Sequence, residues 1–445
     1  MKVLKFGGTS LGTPERFGRL PDLFTGQEKR IVVLSAISGT TDQLVRINDC
    51  LEHGDKHCAG SIVNELEKFY SKFIYDLFDR SSYYYNQSRL FVEERIIKLQ
   101  SLIEKPFTRD VENEILAQGE ILSTGLFRCL LKLREDDFIY LHAPDFLFKN
   151  REGQPDIERL GRKLENIMTH NPDIRLFITQ GFICSNHEGK LDTLGRGGSD
   201  FTASLIGAAL GVDEIQIWTD VDGVHNNDPR LVEDTQPIPE LSYEEADELA
   251  YFGAKVLHPA CVFPAKQRNI PIRIKNTMNP DAPGTMVHEG HKGSSIKAVA
   301  LKDGITAVRI RSARMLMAYG FLRKVFEIFE RYKTPIDMIS TSEVSVSLTI
   351  DDKTNLEKIV TELMELGTVE VDENQTIVCV VGDFMAEKPG MIRIVLNALR
   401  EIPVRMISYG GSMNNVSLLL HEQDKVKALH ALHHHLFLNR EIHVN

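Results

Sequence analysis

The chain opens on apolar positions around a single cation, Val3-Leu4-Lys5-Phe6, and then turns on Gly7-Gly8. That pattern predicts a short buried strand. A helix start follows, with Thr13 as N-cap, Pro14 at the first helical position and Glu15 in the first turn. A β-branched run at 31–36 (IVVLSA) ends at Ser38-Gly39 and gives way to a helix from about Asp42. Residues 55–135 carry helical apolar spacing with few breakers. Strands resume at 138–143, 175–183, 214–221 and 270–274, with helices near 156–168, 199–210 and 242–251 between them. Apolar strands alternating with helices predict an α/β layer around a central, mostly parallel sheet.

The turn-rich NPDAPGTMV (279–287) closes this region, and 288–295 reads as linker. Beyond it the rhythm becomes strand, helix, two strands, helix, and it does so twice. Strand 307–313, helix 319–333, two strands within 335–351 and helix 355–367 make the first copy. Strand 376–384, helix 388–402, a strand pair within 403–420 and helix 424–437 make the second. TPIDMISTSEVSVSLTI (334–350) matches IPVRMISYGGSMNNVSLLL (402–420) at M-I-S, at the polar turn and in the V-S that follows. A tandem pair of small α+β modules is expected. The domains expected are 1–290, 300–370 and 375–440, with 296–306 free to pair with the last.

Composition narrows the function classes. The chain is 42% hydrophobic and 26% charged, as a globular protein is. With 52 Lys and Arg against 63 Asp and Glu, its net charge is -11 and it has no basic run, which argues against a nucleic-acid partner. No apolar stretch approaches the roughly 20 residues of a membrane helix, and the N-terminus has no signal-peptide core. A cytoplasmic location without a membrane partner is expected. The cysteines at 50, 58, 129, 184, 261 and 379 form no CxxC pair and read as reduced thiols. His430 and His433–His435 lie beside Leu429, Leu432 and Leu436, which predicts a surface helix rather than a metal site.

Five stretches carry chemistry. KFGGTS (5–10) is a glycine turn whose lysine precedes the glycines, unlike a Walker loop. TLGRGGSD (193–200) leads into a helix of small residues, where free backbone N–H groups suit an anion and Ser199 can cap the helix. WTDVDGVHNNDPRLV (218–232) leaves a strand end, where α/β proteins bind ligands; alone it also fits an ordinary Asp/Gly turn. Lys255, in FGAKVLHPA (252–260), stands at a loop-to-helix junction, where a solvated lysine is equally natural. Glu120, in NEILAQGEILST (113–124), sits among small and apolar neighbours. A buried carboxylate needs a cationic partner, either internal or a substrate amine.

In this order the stretches resemble the amino acid kinase family, and within it the aspartate kinases. The resemblance covers nearly the whole chain, and the C-terminal repeats resemble paired ACT domains. It implies an α/β amino acid kinase domain, with a central mostly parallel sheet between helices, followed by two βαββαβ-type ACT regulatory domains. STSEVSVSLT (340–349) is similar to the lysine-sensitive, single-function members, so no fused homoserine dehydrogenase is expected. The implied reaction is ATP-dependent phosphorylation of the L-aspartate side chain to 4-phospho-L-aspartate, the first step toward lysine, threonine and methionine. Glutamate, N-acetylglutamate, carbamate or uridylate are the alternative acceptors within the family. A non-catalytic amino-acid sensor is the alternative outside it.

The resemblance also implies roles residue by residue. Lys5 faces the transferring phosphoryl group and Asp200 orients it, while Gly7, Gly8 and Ser10 lie against the phosphates. Arg196 takes the α-carboxylate of aspartate and Glu120 its ammonium, with Thr41 and Ser199 near the substrate carboxylates. Thr219, Asp220, His225, Arg230 and Lys255 surround the nucleotide, His225 standing where relatives usually carry tyrosine. Mg²⁺ is expected with ATP, held mainly by phosphates and waters, with no protein ligand set. For the effector, L-lysine, the match gives Met315, Ala318, Phe321, Leu322, Pro335, Ile336, Asp337, Thr341, Ser342, Glu343 and Val344. Ala318 and Pro335 stand where lysine-sensitive relatives often have serines, and threonine is the competing effector. A homodimer through the ACT domains is implied, with a tetramer as the next assembly open to it.

Overall fold

The computed structural model describes residues 1–24, 26–253, 257–290, 296–315, 319–383 and 385–438. They fall into two compact units. The first holds Met1–Val224, Pro239–Tyr243 and Val256–Gly290; the second holds His225–Ile238, Glu244–Lys255 and His291–Asn445.

Among the described residues ten strands belong to the first unit: β1 (Lys2–Phe6), β2 (Arg30–Leu34), β3 (Phe138–Leu141), β4 (Leu176–Gln180), β5 (Ile183–Ser185), β6 (Leu191–Thr193), β7 (Glu214–Thr219), β8 (Glu240–Ser242), β9 (Ile272–Asn276) and β10 (Thr285–His288). Eight form one sheet in the order β3-β4-β2-β1-β7-β9-β10-β8, and β5 pairs with β6 in a hairpin. From β3 to β9 every neighbouring pair is parallel. The central strand β2, RIVVL, is buried at all five positions, which is why it reads as a continuous apolar run. One helical layer, including helices Lys56–Leu77, Tyr83–Ile103 and Gln118–Leu133, packs Leu66, Tyr70, Leu99 and Phe127 into a core with Phe6 and Leu34.

Register brings the C-terminal ends of the central strands level. Lys5 lies between Val33 and Ile217, and Phe6 between Leu34 and Trp218. The turns after β1, β2, β4 and β7 therefore open at one edge of the sheet, where open α/β sheets hold ligands.

The expected elements of this unit are present. Short pieces escaped the sequence pattern, among them β6, β8, and β10, which runs antiparallel to β9 out of the turn-rich 279–287 stretch. The thiol expectation is corrected. Cys50, near the end of helix Thr40–Glu52, is disulfide-bonded to Cys58, near the start of helix Lys56–Leu77, with Cα atoms 6.0 Å apart. The tight helix–helix corner at 53–55 brings the two cysteines, eight residues apart in the chain, face to face.

The second unit is one six-stranded antiparallel sheet, made of β11 (Ile296–Arg311), β12 (Ile339–Thr341), β13 (Ser345–Ile350), β14 (Thr368–Gly382), β15 (Met406–Tyr409) and β16 (Asn415–His421), in the order β12-β13-β11-β14-β16-β15. The repeats are thus not two separate sheets. β11 and β14, of 16 and 15 residues, run through both halves with register shifts between Lys302 and Ala307. Helices Phe321–Arg331 and Leu356–Met364 cover one core, around Val325, Leu348 and Ile359. Helices Met391–Ala398 and Lys425–His433 cover the other, around Val395, Leu418 and Leu429. The C-terminal helix is not wholly a surface helix, because His433 is buried and burial lowers its pKa.

Candidate active site

The turn after β1 is built tightly. The Gly7 N–H donates to the Trp218 carbonyl at 3.2 Å, and the Gly8 carbonyl accepts from the amides of Leu11 and Ser38. A Cβ on Gly8 would lie 3.2 Å from the Ala36 carbonyl oxygen, so the turns after β1 and β2 touch backbone to backbone. Lys5 projects beside this turn, with its ammonium 3.4 Å from where a Cβ on Gly7 would stand. It pairs with Asp200 at 2.5 Å, the two side chains being 11% and 15% exposed. The pair places the first turn of helix Gly198–Leu210 beside the strand that carries the cation.

Ser199 does not cap that helix. Gly197 holds the N-cap position in the left-handed region (φ 72°), and Ser199 lies one step inside the helix. There it fills the space left by Gly181, whose Cβ would come within 2.5 Å of the Ser199 Cβ and Oγ. The corner behind β4 is held by the same helix: the Phe182 amide, at φ 66°, donates to Thr202 Oγ1 at 3.1 Å. Arg196 lies exposed between Gly195 and Gly197, and its guanidinium makes no hydrogen bond or ion pair among the described residues.

Glu120 is 4% exposed, in the first turn of helix Gln118–Leu133. Its Oε1 accepts from the Ala36 amide at 3.2 Å, and its Oε2 has no partner. Among the described residues no cation pairs with it. Burial pushes its carboxyl up to about 8, against the opposing effects of the Ala36 amide and Lys5. Thr41 is exposed in the first turn of helix Thr40–Glu52, behind Gly39 in the left-handed region.

The remaining residues divide. The Ser10 hydroxyl is buried and already engaged, 2.6 Å from Thr277 Oγ1 and 3.3 Å from the Trp218 carbonyl. Thr219 ends β7 and donates to Asp220, which is exposed. Asp222, not among the expected residues, accepts from Asn276 at 2.8 Å and ties the loop after β7 to β9. His225 and Arg230 belong to the second unit, where His225 Nδ1 lies 3.0 Å from Thr235 Oγ1 and Arg230 forks onto Asp228 at 2.6 and 2.9 Å. Lys255 and Ala318 lie outside the described residues.

The motifs also passed over residues that build the edge. Gly181 and Phe182 follow an apolar strand without any loop signature. His258, within the FGAKVLHPA stretch, packs against Gly197 so closely that a Cβ there would run into its ring. It accepts from the Ala260 amide at 3.2 Å, and burial lowers its pKa.

Of the effector residues, Asp337 is the most constrained. Its side chain is 2% exposed; Oδ1 receives the Lys302 ammonium at 2.5 Å and the Tyr251 hydroxyl at 3.0 Å, while Oδ2 has no partner. Lys302 also meets Asp351 at 2.9 Å. Burial raises the Asp337 carboxyl, with Lys302 opposing. Phe321 starts its helix behind Gly320, with Met315, Leu322 and Ile336 packed on the same core, while Pro335, Thr341, Ser342, Glu343 and Val344 are exposed.

Residues 1–276 match the amino acid kinase family and residues 378–436 an ACT domain. Lysine-sensitive aspartokinase 3 of Escherichia coli is 34% identical over 451 residues, covering 98% of this chain and 99% of that one. Chloroplastic aspartokinase 3 of Arabidopsis thaliana is 34% identical, over 98% of this chain and 81% of its own. The crystal structure of E. coli aspartokinase III with aspartate and ADP, in its R-state, matches 98% of this chain and 100% of that one at 33% identity, with a TM-score of 0.86. The same enzyme with lysine and aspartate, in its T-state, gives 0.80 at 34% identity, over 98% of this chain and 99% of that one. By family match, by identity over nearly its full length and by fold, this chain belongs to the amino acid kinase family, among the aspartokinases that carry a C-terminal ACT region.

Proposed function

We propose that the chain transfers the γ-phosphoryl group of ATP to the side-chain carboxylate of L-aspartate, giving 4-phospho-L-aspartate and ADP. The observation that carries the choice of acceptor is Glu120: a buried carboxyl with one oxygen held by the Ala36 amide and the other left without a partner. An acceptor with a free α-ammonium supplies the missing cation. An N-acetylated acceptor does not, and leaves the buried oxygen unpaired.

The acceptor carboxylate of aspartate has an ordinary pKa near 4 and is ionised at neutral pH, so no general base is needed. An oxygen–phosphorus bond forms at the γ-phosphorus as the bond to the β-phosphate bridging oxygen breaks, and its electron pair leaves with ADP. The chain's part is alignment and neutralisation of charge. Lys5, oriented by Asp200, stabilises the transferring oxygens. Gly7 and Gly8 let the nucleotide phosphates approach the backbone. Arg196 offers a planar fork to the α-carboxylate, with Ser199 and Thr41 beside it. Thr219 and Asp220 stand at the nucleotide edge. Magnesium enters with the nucleotide, as the MgATP complex, bound by phosphate oxygens and water.

In the second unit, L-lysine is the effector, and the ACT region is where two chains pair. Asp337 supports that reading, since a buried carboxylate oxygen without a partner suits an ammonium ligand. A cytoplasmic location fits a biosynthetic kinase. The test is an ATP-dependent hydroxamate assay with L-aspartate, L-glutamate or N-acetyl-L-glutamate as the only acceptor, repeated with L-lysine and L-threonine. Product with aspartate alone and inhibition by lysine support the proposal. Equal turnover with N-acetylglutamate overturns the acceptor assignment.

A further inference from the structure

Apart from the phosphoryl-transfer residues, the first unit contains a cavity of about 840 Å³. Its wall takes Arg95 and Lys98 from helix Tyr83–Ile103, Glu114 and Gln118 from the next two helices, and Arg159 and Lys163 from helix Ile157–His170. Four of these six side chains are cations, on a chain whose net charge is -11. Asp145 is the second carboxylate on the wall.

The cations are only partly neutralised. Lys98 pairs with Glu114 at 2.7 Å, and Arg95 touches Glu94 beside the wall. Arg159 stacks 3.7 Å over the Phe148 ring, a cation–π contact that fixes its planar fork, and it pairs with no carboxylate among the described residues. Lys163 makes no ion pair among the described residues.

Two buried polar atoms on the wall lack partners: Arg95 Nε, a donor, and Gln118 Oε1, an acceptor. Gln118 is 3% exposed. Its Nε2 donates to the Glu114 carbonyl at 3.0 Å, which fixes the orientation of the amide and leaves Oε1 as the open group. A buried donor and a buried acceptor without partners each carry a desolvation cost that a ligand removes.

The geometry points to this cavity as a binding site for a small anion that also carries a hydroxyl. Its anionic group takes the Arg95, Arg159 and Lys163 side, and its hydroxyl donates to Gln118 Oε1. A phosphate ester and a hydroxy-polycarboxylate share this chemistry, and the volume lies within the range of ordinary small-molecule pockets.

Isothermal titration of the full chain tests it, with ADP and L-aspartate at saturation to occupy the phosphoryl-transfer site. The probes are glycerol 3-phosphate, citrate and propyl phosphate, the last lacking a hydroxyl. Glycerol 3-phosphate or citrate is expected to bind once per chain, and which of them does so separates phosphate from carboxylate. Arg159→Gln with Lys163→Gln, both exposed positions, should weaken that binding at least tenfold, while Lys5→Ala leaves it unchanged. If glycerol 3-phosphate is the ligand, it should bind more tightly than propyl phosphate, and Gln118→Leu should remove the difference. Absence of binding by both hydroxylated probes overturns the assignment. So does binding that survives the Arg159/Lys163 variant or is lost in Lys5→Ala.

Discussion

Lys5 and Glu120 show how a residue's neighbours decide its chemistry. Lys5 is held by Asp200 at 2.5 Å in a largely buried pair. Lys5→Ala is expected to lower kcat about 10²–10³-fold, the effect of removing one preorganised charge-stabilising donor, ~2.7–4 kcal/mol. It should also cost stability, because Asp200 is left buried without its cation. The double variant Lys5→Ala/Asp200→Ala should regain that stability in urea unfolding without regaining turnover. Recovery of both would assign the pair to the fold alone. For Glu120 the sign follows from a carboxyl pushed up to about 8 from an ordinary 4.5. The empty protein favours the neutral form, so the contribution to stability is complete below about pH 4.5 and is lost as pH rises through 8. In the proposed site L-aspartate brings an ammonium to this carboxyl and favours its ionised form. Binding near pH 7 is therefore expected to release about one proton per site. Titration calorimetry in two buffers of different ionisation heat measures it, and Glu120→Gln should abolish the buffer dependence. A wild-type binding heat independent of buffer would remove Glu120 from the ammonium site.

At the scale of elements, the start of helix Gly198–Leu210 is placed by close packing against the corner behind β4. A Cβ on Gly181 would stand 2.7 Å from the Ser199 Cα, and that backbone atom cannot yield without moving the helix. Gly181→Ala should cost about 1–3 kcal/mol in urea unfolding, as overpacking does. It should also raise KM for aspartate more than KM for ATP. A loss of stability with both constants unchanged would mean that the helix start needs no such placement. The elements themselves were largely legible: the apolar runs at 31–36 and 175–183 became β2 and β4, and the small-residue stretch became the helix at 198–210. The Gly181–Phe182 corner was not, because a phenylalanine at φ 66° has no sequence signature and is held by a hydrogen bond from Phe182 to Thr202, twenty residues away.

At the scale of the whole molecule, the proposed regulation by L-lysine turns on which cation Asp337 holds. In this structure it holds Lys302 at 2.5 Å, an internal lysine where the sequence predicted an effector lysine. Lys302→Met should destabilise the effector-free protein, since Asp337 is left buried with only the Tyr251 hydroxyl. L-lysine should then raise the thermal midpoint of the variant more than that of the wild type and inhibit it at lower concentration, while L-threonine, without a distal ammonium, does neither. Equal lysine shifts in the two proteins would take Asp337 out of the effector site.

By itself the sequence determined the element order, the α/β character of the first unit, the repeat of the second and the family. These follow from local periodicity and from short motifs whose residues are chain neighbours. Lys5 and Glu120 were also picked out in sequence, as a cation at a strand end and an acid among apolar neighbours, while Arg196 entered through the family resemblance. Tertiary structure alone decided their states. It paired Lys5 with Asp200, left Glu120 with one unpartnered oxygen and gave Asp337 an internal cation. It also joined Cys50 to Cys58 and merged the two repeats into one sheet. The reason is that burial and pairing are set by atoms distant in the chain, and the free energy of a buried charge depends on those atoms rather than on the residue that carries it.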